Sequence, residues 1–429
     1  MSTSPPWHQL PPAQAAVGNP GELLRLARTA HRMSLEQAGR LCGYSGSTMS
    51  RFETGRRKLT DVNVLHRLAD ALGIPPGMLG LTSVNNRPAT TAAVRVPEGR
   101  SIDGGDMDRR NLLAGVLVTL ATPPAVGGPS AARAAAVLPV SLDRLRAELA
   151  AGRADFAAAR YEQLARRLPG LVQAAEATWD ATAHDRRAGA GAFVALSHDL
   201  GARLMIKMHH TEGAAACSVR ASQAARVCGE PAIVALVDRT VTVVMRRTGQ
   251  ARQAQPVLLD AATRLRADTG LASGRDASLY ASMLATAAYT AAIADRRDDA
   301  LTLVEEAEGA LGRGGGGFTP NDLTLYKAGV ARMLGDYGHA VSLIGRVRLD
   351  LLPTPERRAR YWEDAALSWV GRGRPGRAYE ALREAERAAP QEVRYRPWAK
   401  QLTSRLLAGG ACSELPDLRQ FATRVGVSM

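Results

Sequence analysis

The chain has 429 residues, more than one ordinary domain holds, and we expect two or three domains. Hydrophobic residues make up 46% of the chain and aromatic residues only 4%, which favours alanine- and leucine-rich helices over sheets. The formal net charge of +14 indicates an acidic partner, either nucleic acid or an anionic surface. No apolar run is long enough to cross a bilayer, so no membrane partner is expected.

The four cysteines have neither a paired framework nor metal-ligand spacing. The first residues lack the charged and apolar segments of a signal peptide. Together these features predict a protein of a reducing compartment, with a cytoplasmic location.

Composition and helix punctuation divide the chain into five segments. They are a disordered N-terminus (1–18), a helical domain (20–81), a linker (82–140), a long helical domain (141–408) and a C-terminal tail (409–429). The predicted fold class is therefore all-α.

The first helical domain carries dense start and stop signals. Pro20 suits the first position of a helix. Ser34 and Gln37 have the spacing of a capping box, which starts a second helix, and Gly43 permits the left-handed turn that ends it. Ser45 caps a third helix only two residues later. Two short helices joined by a tight glycine turn predict a helix-turn-helix unit.

Further signals complete this domain. The third helix stops at Gly55, a fourth runs from about Asp61 to Leu72, and a short fifth begins near Pro76. The stretch S-L-E-Q-A-G-R-L-C-G-Y-S-G-S-T-M-S-R-F-E-T-G-R-R resembles the Cro/cI-type (XRE) helix-turn-helix family. One departure is the Ala38-Gly39 pair, where that family usually has a larger residue followed by alanine.

The third helix is the candidate DNA-reading element. Met49 and Phe52 lie three residues apart and are expected to face the core. The side opposite them, which would then face the major groove, carries Gly46, Ser47, Ser50 and Arg51. The resemblance implies base reading by Ser47 and Arg51, and the guanidinium fork of Arg51 fits the guanine edge. Gly46 can contribute only backbone.

Basic residues around that helix suit phosphate contacts. Arg56, Arg57 and Lys58 follow it directly, and Arg40 is a further candidate. Residues 21–80 hold nine Lys/Arg against five Asp/Glu, a modest excess. The resemblance also implies an internal ion pair between Arg28 and Glu53.

The second helical domain shows internal repetition. Three pairs of alanines share a twelve-residue separation: Ala288 and Ala300, Ala328 and Ala340, Ala366 and Ala378. Around the last pair, Trp362 and Leu382 are expected in the core, and Pro390 is expected to end the unit. The pattern resembles tetratricopeptide (TPR) helix pairs, although steps of 40 and 38 residues exceed the usual ~34. A plain α-helical bundle is the alternative.

A Cro/cI-like head joined to degenerate TPR helices resembles a broad group of actinobacterial regulators and, more remotely, peptide-pheromone receptors. That resemblance implies an effector, a peptide, a small molecule or a protein partner, bound by the helical domain. Groove candidates are Tyr289, Asn321, Tyr326 and Arg332. A homodimer that reads an inverted repeat is the expected assembly.

Catalysis is not expected, because no nucleophile, phosphate-loop or metalloprotease motif is present. The adjacent pair His209-His210 is a poor metal site, since neighbouring helical side chains diverge by about 100°, and no metal or cofactor is predicted. The sequence predicts a sequence-specific transcriptional regulator that binds double-stranded DNA. The alternative is a TPR adaptor with only weak or accessory DNA binding.

Overall fold

A computed structural model describes residues 20–55, 59, 62–79, 138–183, 186–312, 316–409, 415 and 417–427. Every regular element within these ranges is helical, which confirms the all-α fold class. None of the helices described is both long enough and apolar enough to span a membrane. Contacts divide the chain into an N-terminal and a C-terminal unit, and the predicted linker lies almost wholly outside the described residues.

The N-terminal unit contains four α-helices and one turn of 3-10 helix. The α-helices are α1 (Pro20–Ala30), α2 (Leu35–Cys42), α3 (Gly46–Glu53) and α4 (Val62–Leu72). The predicted short fifth helix begins at Pro76 and, within the described residues, is the 3-10 turn Pro76–Leu79.

Local caps hold the α2–α3 turn as the sequence predicts. Ser34 Oγ accepts from the Gln37 backbone N–H, and Gln37 Oε1 accepts from the Ser34 N–H at 2.8 Å. Gly43 has φ +85°, a left-handed conformation that glycine adopts without steric cost. The core beneath is apolar, and its largest fully buried side chains are Leu24, Met49, Leu68 and Leu72.

The C-terminal unit holds the remaining helices of the described ranges. They are α5 (Leu142–Ala157), α6 (Tyr161–Ala181), α7 (Arg187–Lys207), α8 (Thr211–Cys228), α9 (Pro231–Arg247), α10 (Ala251–Thr269), α11 (Gly274–Ile293), α12 (Arg297–Leu311), α13 (Pro320–Met333), α14 (Tyr337–Ile344), α15 (Pro355–Gly371), α16 (Pro375–Ala388), α17 (Pro390–Tyr395), α18 (Pro397–Ala408) and α19 (Leu418–Arg424).

Six consecutive helix pairs, from α5–α6 to α15–α16, turn in the same way. Each turn contains one residue in the left-handed region: Ala159, His209, Gly249, Asp295, Gly335 and Gly373. In five of these turns the next N–H bonds the carbonyl five residues earlier: Arg160 to Asp155, His210 to Met205, Gln250 to Met245, Asp336 to Ala331 and Arg374 to Trp369. This is the Schellman closure of a helix end. The repeating unit is therefore a helical hairpin with a constant turn geometry, and the lengths of its two helices vary from one hairpin to the next.

The predicted small residues lie where paired helices meet. The six alanines of the sequence pattern have no exposed surface: Ala288, Ala300, Ala328, Ala340, Ala366 and Ala378. Ala307 and Ala385, on the second helices of two hairpins, are equally buried. Leu382 is likewise fully buried, whereas Trp362 is half-buried and stacks edge-on against Tyr361. Pro390 stands at the first position of α17, so the α16 helix ends before it as expected.

The segment set apart as a tail contains a packed helix. Phe421 of α19 is fully buried and lies edge-on to the ring of Tyr379 on α16. Local periodicity over seven residues is too short to signal such a helix, which is stabilised by its tertiary contacts.

The first hairpin of the C-terminal unit contacts α17, the helix that follows the last hairpin. The buried Tyr161 hydroxyl donates to Glu392 of α17, and the Glu162 N–H donates to Gln391 Oε1 at 3.1 Å. The Lys207 ammonium on α7 bonds to both Glu356 and Glu392. Contacts between residues 149 to 231 positions apart thus join the early helices of the array to the late ones.

Candidate functional site

The short helix α3 is held by its cap and by one buried face. Ser45 Oγ accepts from the Thr48 N–H at 3.2 Å. Met49 has no exposed surface, and Phe52 is buried with its ring edge-on to Tyr44 at 5.2 Å. These contacts fix the rotation of α3 about its own axis.

The side of α3 away from Met49 and Phe52 carries the predicted base-reading residues. Ser47 is exposed, its Oγ 2.9 Å from Ser45 Oγ, and Ser50 is half-buried. The Arg51 side chain is 42% exposed. Gly46 begins the helix where a Cβ would lie 3.0 Å from Glu36 Cγ. The absence of a side chain there lets α2 and α3 approach closely.

Arg28 and Glu53 are paired as the resemblance implies. Two guanidinium nitrogens of Arg28 donate to the two carboxylate oxygens of Glu53, at 2.6 and 2.8 Å. A third donates to the Met33 carbonyl at 3.0 Å. The hydrogen bond to Glu53 raises the pKa of Arg28 above its usual value. The pair ties α1 to the end of α3 and so fixes the helix that carries Arg51.

The phosphate candidates are described only in part. Arg40 is exposed in the last turn of α2. Arg56, Arg57 and Lys58 lie outside the described residues.

A family model described as a helix-turn-helix domain matches residues 21–79. Residues 21–79 are a helix-turn-helix domain. No curated protein matches the chain. The helix-turn-helix domain is a module of DNA-binding regulators, and DNA is the partner that it indicates.

The C-terminal unit encloses a cavity of about 240 Å³. The first helix of every one of the six hairpins contributes to its wall, through Phe156 (α5), Arg203 (α7), Arg239 (α9), Tyr289 (α11), Tyr326 (α13) and Arg360 (α15). Eight cationic side chains line it, against two carboxylates, Glu356 and Asp364. The cavity is thus a basic chamber at the centre of the array.

The four groove candidates from the sequence have different places. Tyr289 and Tyr326 line the cavity. Arg332 lies behind its wall, 2.9 Å from the Asp364 carboxylate and 3.2 Å from the Tyr289 hydroxyl. Asn321 does not line it, because its side-chain amide bonds both backbone groups of Arg348 and holds a turn.

The positive charge around the cavity lowers the pKa of the Tyr326 phenol. Burial raises the pKa of Tyr326, but the guanidinium groups of Arg239 and Arg357 and a hydrogen bond with Thr286 outweigh it and lower the pKa to about 8. Arg239 also donates to the Tyr326 hydroxyl at 2.9 Å. Positive charge here favours an anion.

The sequence did not single out the arginines of this wall. Arg239 and Arg246 lie seven residues apart on α9, and Arg203 and Lys207 lie four apart on α7. Such spacing places each pair on one helix face. Arginines at helical spacing within alanine-rich helices could have predicted this basic wall. They were not distinctive, because arginine is frequent throughout the chain.

The histidine pair has a structural role. His210 Nδ1 accepts from the Gly213 N–H at 3.0 Å and caps α8, while His209 supplies the left-handed turn residue. Within the described residues no cluster of His, Cys, Asp and Glu could hold a metal ion.

Proposed function

We propose that the chain is a sequence-specific transcriptional regulator that reads DNA with α3. The observation that carries the proposal is the two-sided character of this helix: Met49 and Phe52 are buried, while Ser47 is exposed and Arg51 is half-exposed on the other side. A capped helix of this kind in a helix-turn-helix domain enters the major groove. Ser47, Ser50 and Arg51 read base edges, and Gly46 contributes only its backbone, since a side chain at that position would meet Glu36 of α2.

The finer parts of the proposal concern the Cro/cI (XRE) subtype and the C-terminal unit. The unit is a TPR-like effector domain and mediates homodimerisation, which would set two heads about one helical turn of DNA apart. The recurring hairpin turn and the buried alanines support the TPR assignment. The shared cavity of all six hairpins supports an effector role. Effector binding would couple to operator affinity through this unit.

The test is selection of DNA fragments from random or genomic DNA by the full chain, followed by affinity measurements on the selected site. Arg51→Ala should weaken binding to that site by roughly 1–3 kcal/mol and relax the preference at one base position. Arg25→Ala is the matched control, since Arg25 is an exposed arginine on α1.

Two results would contradict the proposal. One is a failure to select any shared sequence, which would favour the adaptor alternative. The other is an equal loss of affinity for every DNA in Arg51→Ala, which would remove the base-reading role of Arg51.

A further inference from the structure

We infer that the cavity of the C-terminal unit binds a compact anion with at least two negative charges, of the phosphoryl or polycarboxylate class. This site is separate from the DNA-reading surface. Only its regulatory consequence rests on the proposed function, because a ligand can act on transcription only if the head binds DNA.

Four arginines on the cavity wall, Arg203, Arg239, Arg246 and Arg247, form no ion pair with a carboxylate within 4 Å among the described residues. Two of them, Arg239 and Arg246, donate hydrogen bonds only to neutral groups. Arg239 donates to Thr286 Oγ1 at 3.0 Å and to the Tyr326 hydroxyl at 2.9 Å. Arg246 donates to Thr290 Oγ1 at 2.8 Å and lies over the Tyr289 ring. All these partners are neutral when the phenols are protonated. A half-buried guanidinium without a counter-charge is costly, and a bound anion would remove that cost.

Other cations of the same wall are already neutralised. Arg360 pairs with Asp364 at 2.9 Å, Arg396 pairs with Glu363 and Glu392, and Lys207 bonds Glu356 and Glu392. Each of these three cations thus forms an ion pair that links or stabilises helices of the unit. Arg239 and Arg246, which lie on the same face of α9, form no direct ion pair of this kind, and the nearest charge interaction of Arg239 with a carboxylate is with the buried Asp199.

The electrostatics of the wall agree with this contrast. Burial lowers the pKa of Arg246, and Arg360 and Arg239 lower it further. The same excess of positive charge holds the pKa of Tyr326 at about 8. Both shifts would relax if an anion entered the cavity, because opposite charge stabilises the guanidinium and the neutral phenol.

Size and chemistry narrow the ligand class. A volume of about 240 Å³ suits a metabolite-sized group and not a folded polypeptide. Guanidinium forks bind phosphate and carboxylate oxygens through two parallel hydrogen bonds. The phenols of Tyr289 and Tyr326 add donors at the same wall.

The experiment is calorimetric titration of the full chain with sodium pyrophosphate and, separately, with citrate, against sodium chloride of matched ionic strength. We expect saturable binding of one anion per chain, and the tighter of the two probes identifies the class. The double variant Arg239→Gln/Arg246→Gln should weaken binding by about tenfold or more, because two charge-assisted hydrogen bonds are lost. Arg226→Gln, an exposed arginine of α8 outside the cavity, should bind as the natural chain does.

A spectroscopic reading on the natural chain does not depend on any variant at those positions. Ultraviolet difference titration should show one tyrosine ionising near pH 8, which disappears in Tyr326→Phe, and saturating pyrophosphate or citrate should move it to higher pH. Absence of saturable binding by both probes, binding unchanged in the double variant, or an unmoved Tyr326 titration would each overturn the inference. None of these readouts involves DNA, so a failure of the proposed function leaves them interpretable.

Discussion

Arg28 on the first helix grips both carboxylate oxygens of Glu53 on the third helix, at 2.6 and 2.8 Å. The Glu53 side chain is only 5% exposed and that of Arg28 is 19% exposed. The pair lies two residues from Arg51, so it positions the helix proposed to read DNA without itself reaching a base. A structural pair of this kind should affect affinity through the order of α3.

We therefore expect Arg28→Ala to destabilise the N-terminal unit by about 2 kcal/mol, since Glu53 is left as a nearly buried, unpaired charge. Hydrogen-exchange mass spectrometry of residues 20–55 in the full chain measures the effect as faster exchange. Arg25→Ala on the same helix is the control, because Arg25 is exposed. Equal protection in the two variants would show that the pair does not hold α3.

A second prediction concerns phosphate contacts. Arg56→Ala should weaken binding to all DNA sequences alike and reduce the slope of log affinity against log salt by roughly 1. Fluorescence anisotropy over a salt series measures both quantities. Arg51→Ala serves as the contrast, since its loss should depend on sequence. If Arg56→Ala instead lowered the affinity for some DNA sequences more than for others, Arg56 would be a base-reading residue and not a phosphate contact.

A third prediction concerns acid stability. Glu176 on α6 accepts from Arg220 at 2.7 Å and lies 3.0 Å from His198 Nε2. Burial alone would raise the pKa of Glu176, but these hydrogen bonds and charges lower it to about 2, from 4.5. Because the folded-state pKa is depressed, the stabilisation is complete above about pH 4.5 and is lost as the pH falls towards 2.

Glu176→Gln should therefore cost about 2 kcal/mol at neutral pH and flatten the fall in the free energy of unfolding below pH 4.5. Urea denaturation at a series of pH values measures this difference. An identical pH dependence in the variant and the natural chain would mean that Glu176 titrates normally in the folded protein.

A fourth prediction concerns the contact between the first hairpin and α17. Tyr161→Phe removes a buried hydrogen bond to Glu392 and should cost about 2 kcal/mol. Tyr280→Phe is the matched control, because the Tyr280 hydroxyl also donates to a glutamate, Glu306, but within one hairpin and at a more exposed site. Chemical denaturation should show a broader transition for Tyr161→Phe alone. Equal effects would assign no special role to the long-range bond.

The sequence predicted the features that depend on neighbours in the chain. Ser34 with Gln37, Gly43 and Ser45 are short-range signals, and each has the predicted local geometry. The alanine pattern predicted buried positions in the later hairpins for the same reason. A spacing of twelve residues joins the two helices of one hairpin across its turn.

The cavity could be predicted only in fragments. Tyr289 and Tyr326 were identified, but Arg239 and Arg246 were not, and Asn321 serves a turn instead. Whether an arginine is paired can depend on a carboxylate from another hairpin, such as Asp364 of α15 for Arg332 of α13, and helical periodicity does not encode that match. The short helix α19 in the C-terminal segment was not predicted, because tertiary packing and not local propensity stabilises so short an element.

The bond between Tyr161 and Glu392 has a consequence for how the C-terminal unit would respond to the ligand proposed above. An open repeat array communicates only between neighbours and frays from its ends. Here the first hairpin is bonded to α17, so a displacement of one hairpin is resisted by the others. A ligand in the cavity would contact the first helix of all six hairpins at once, so a small molecule could shift the whole unit cooperatively.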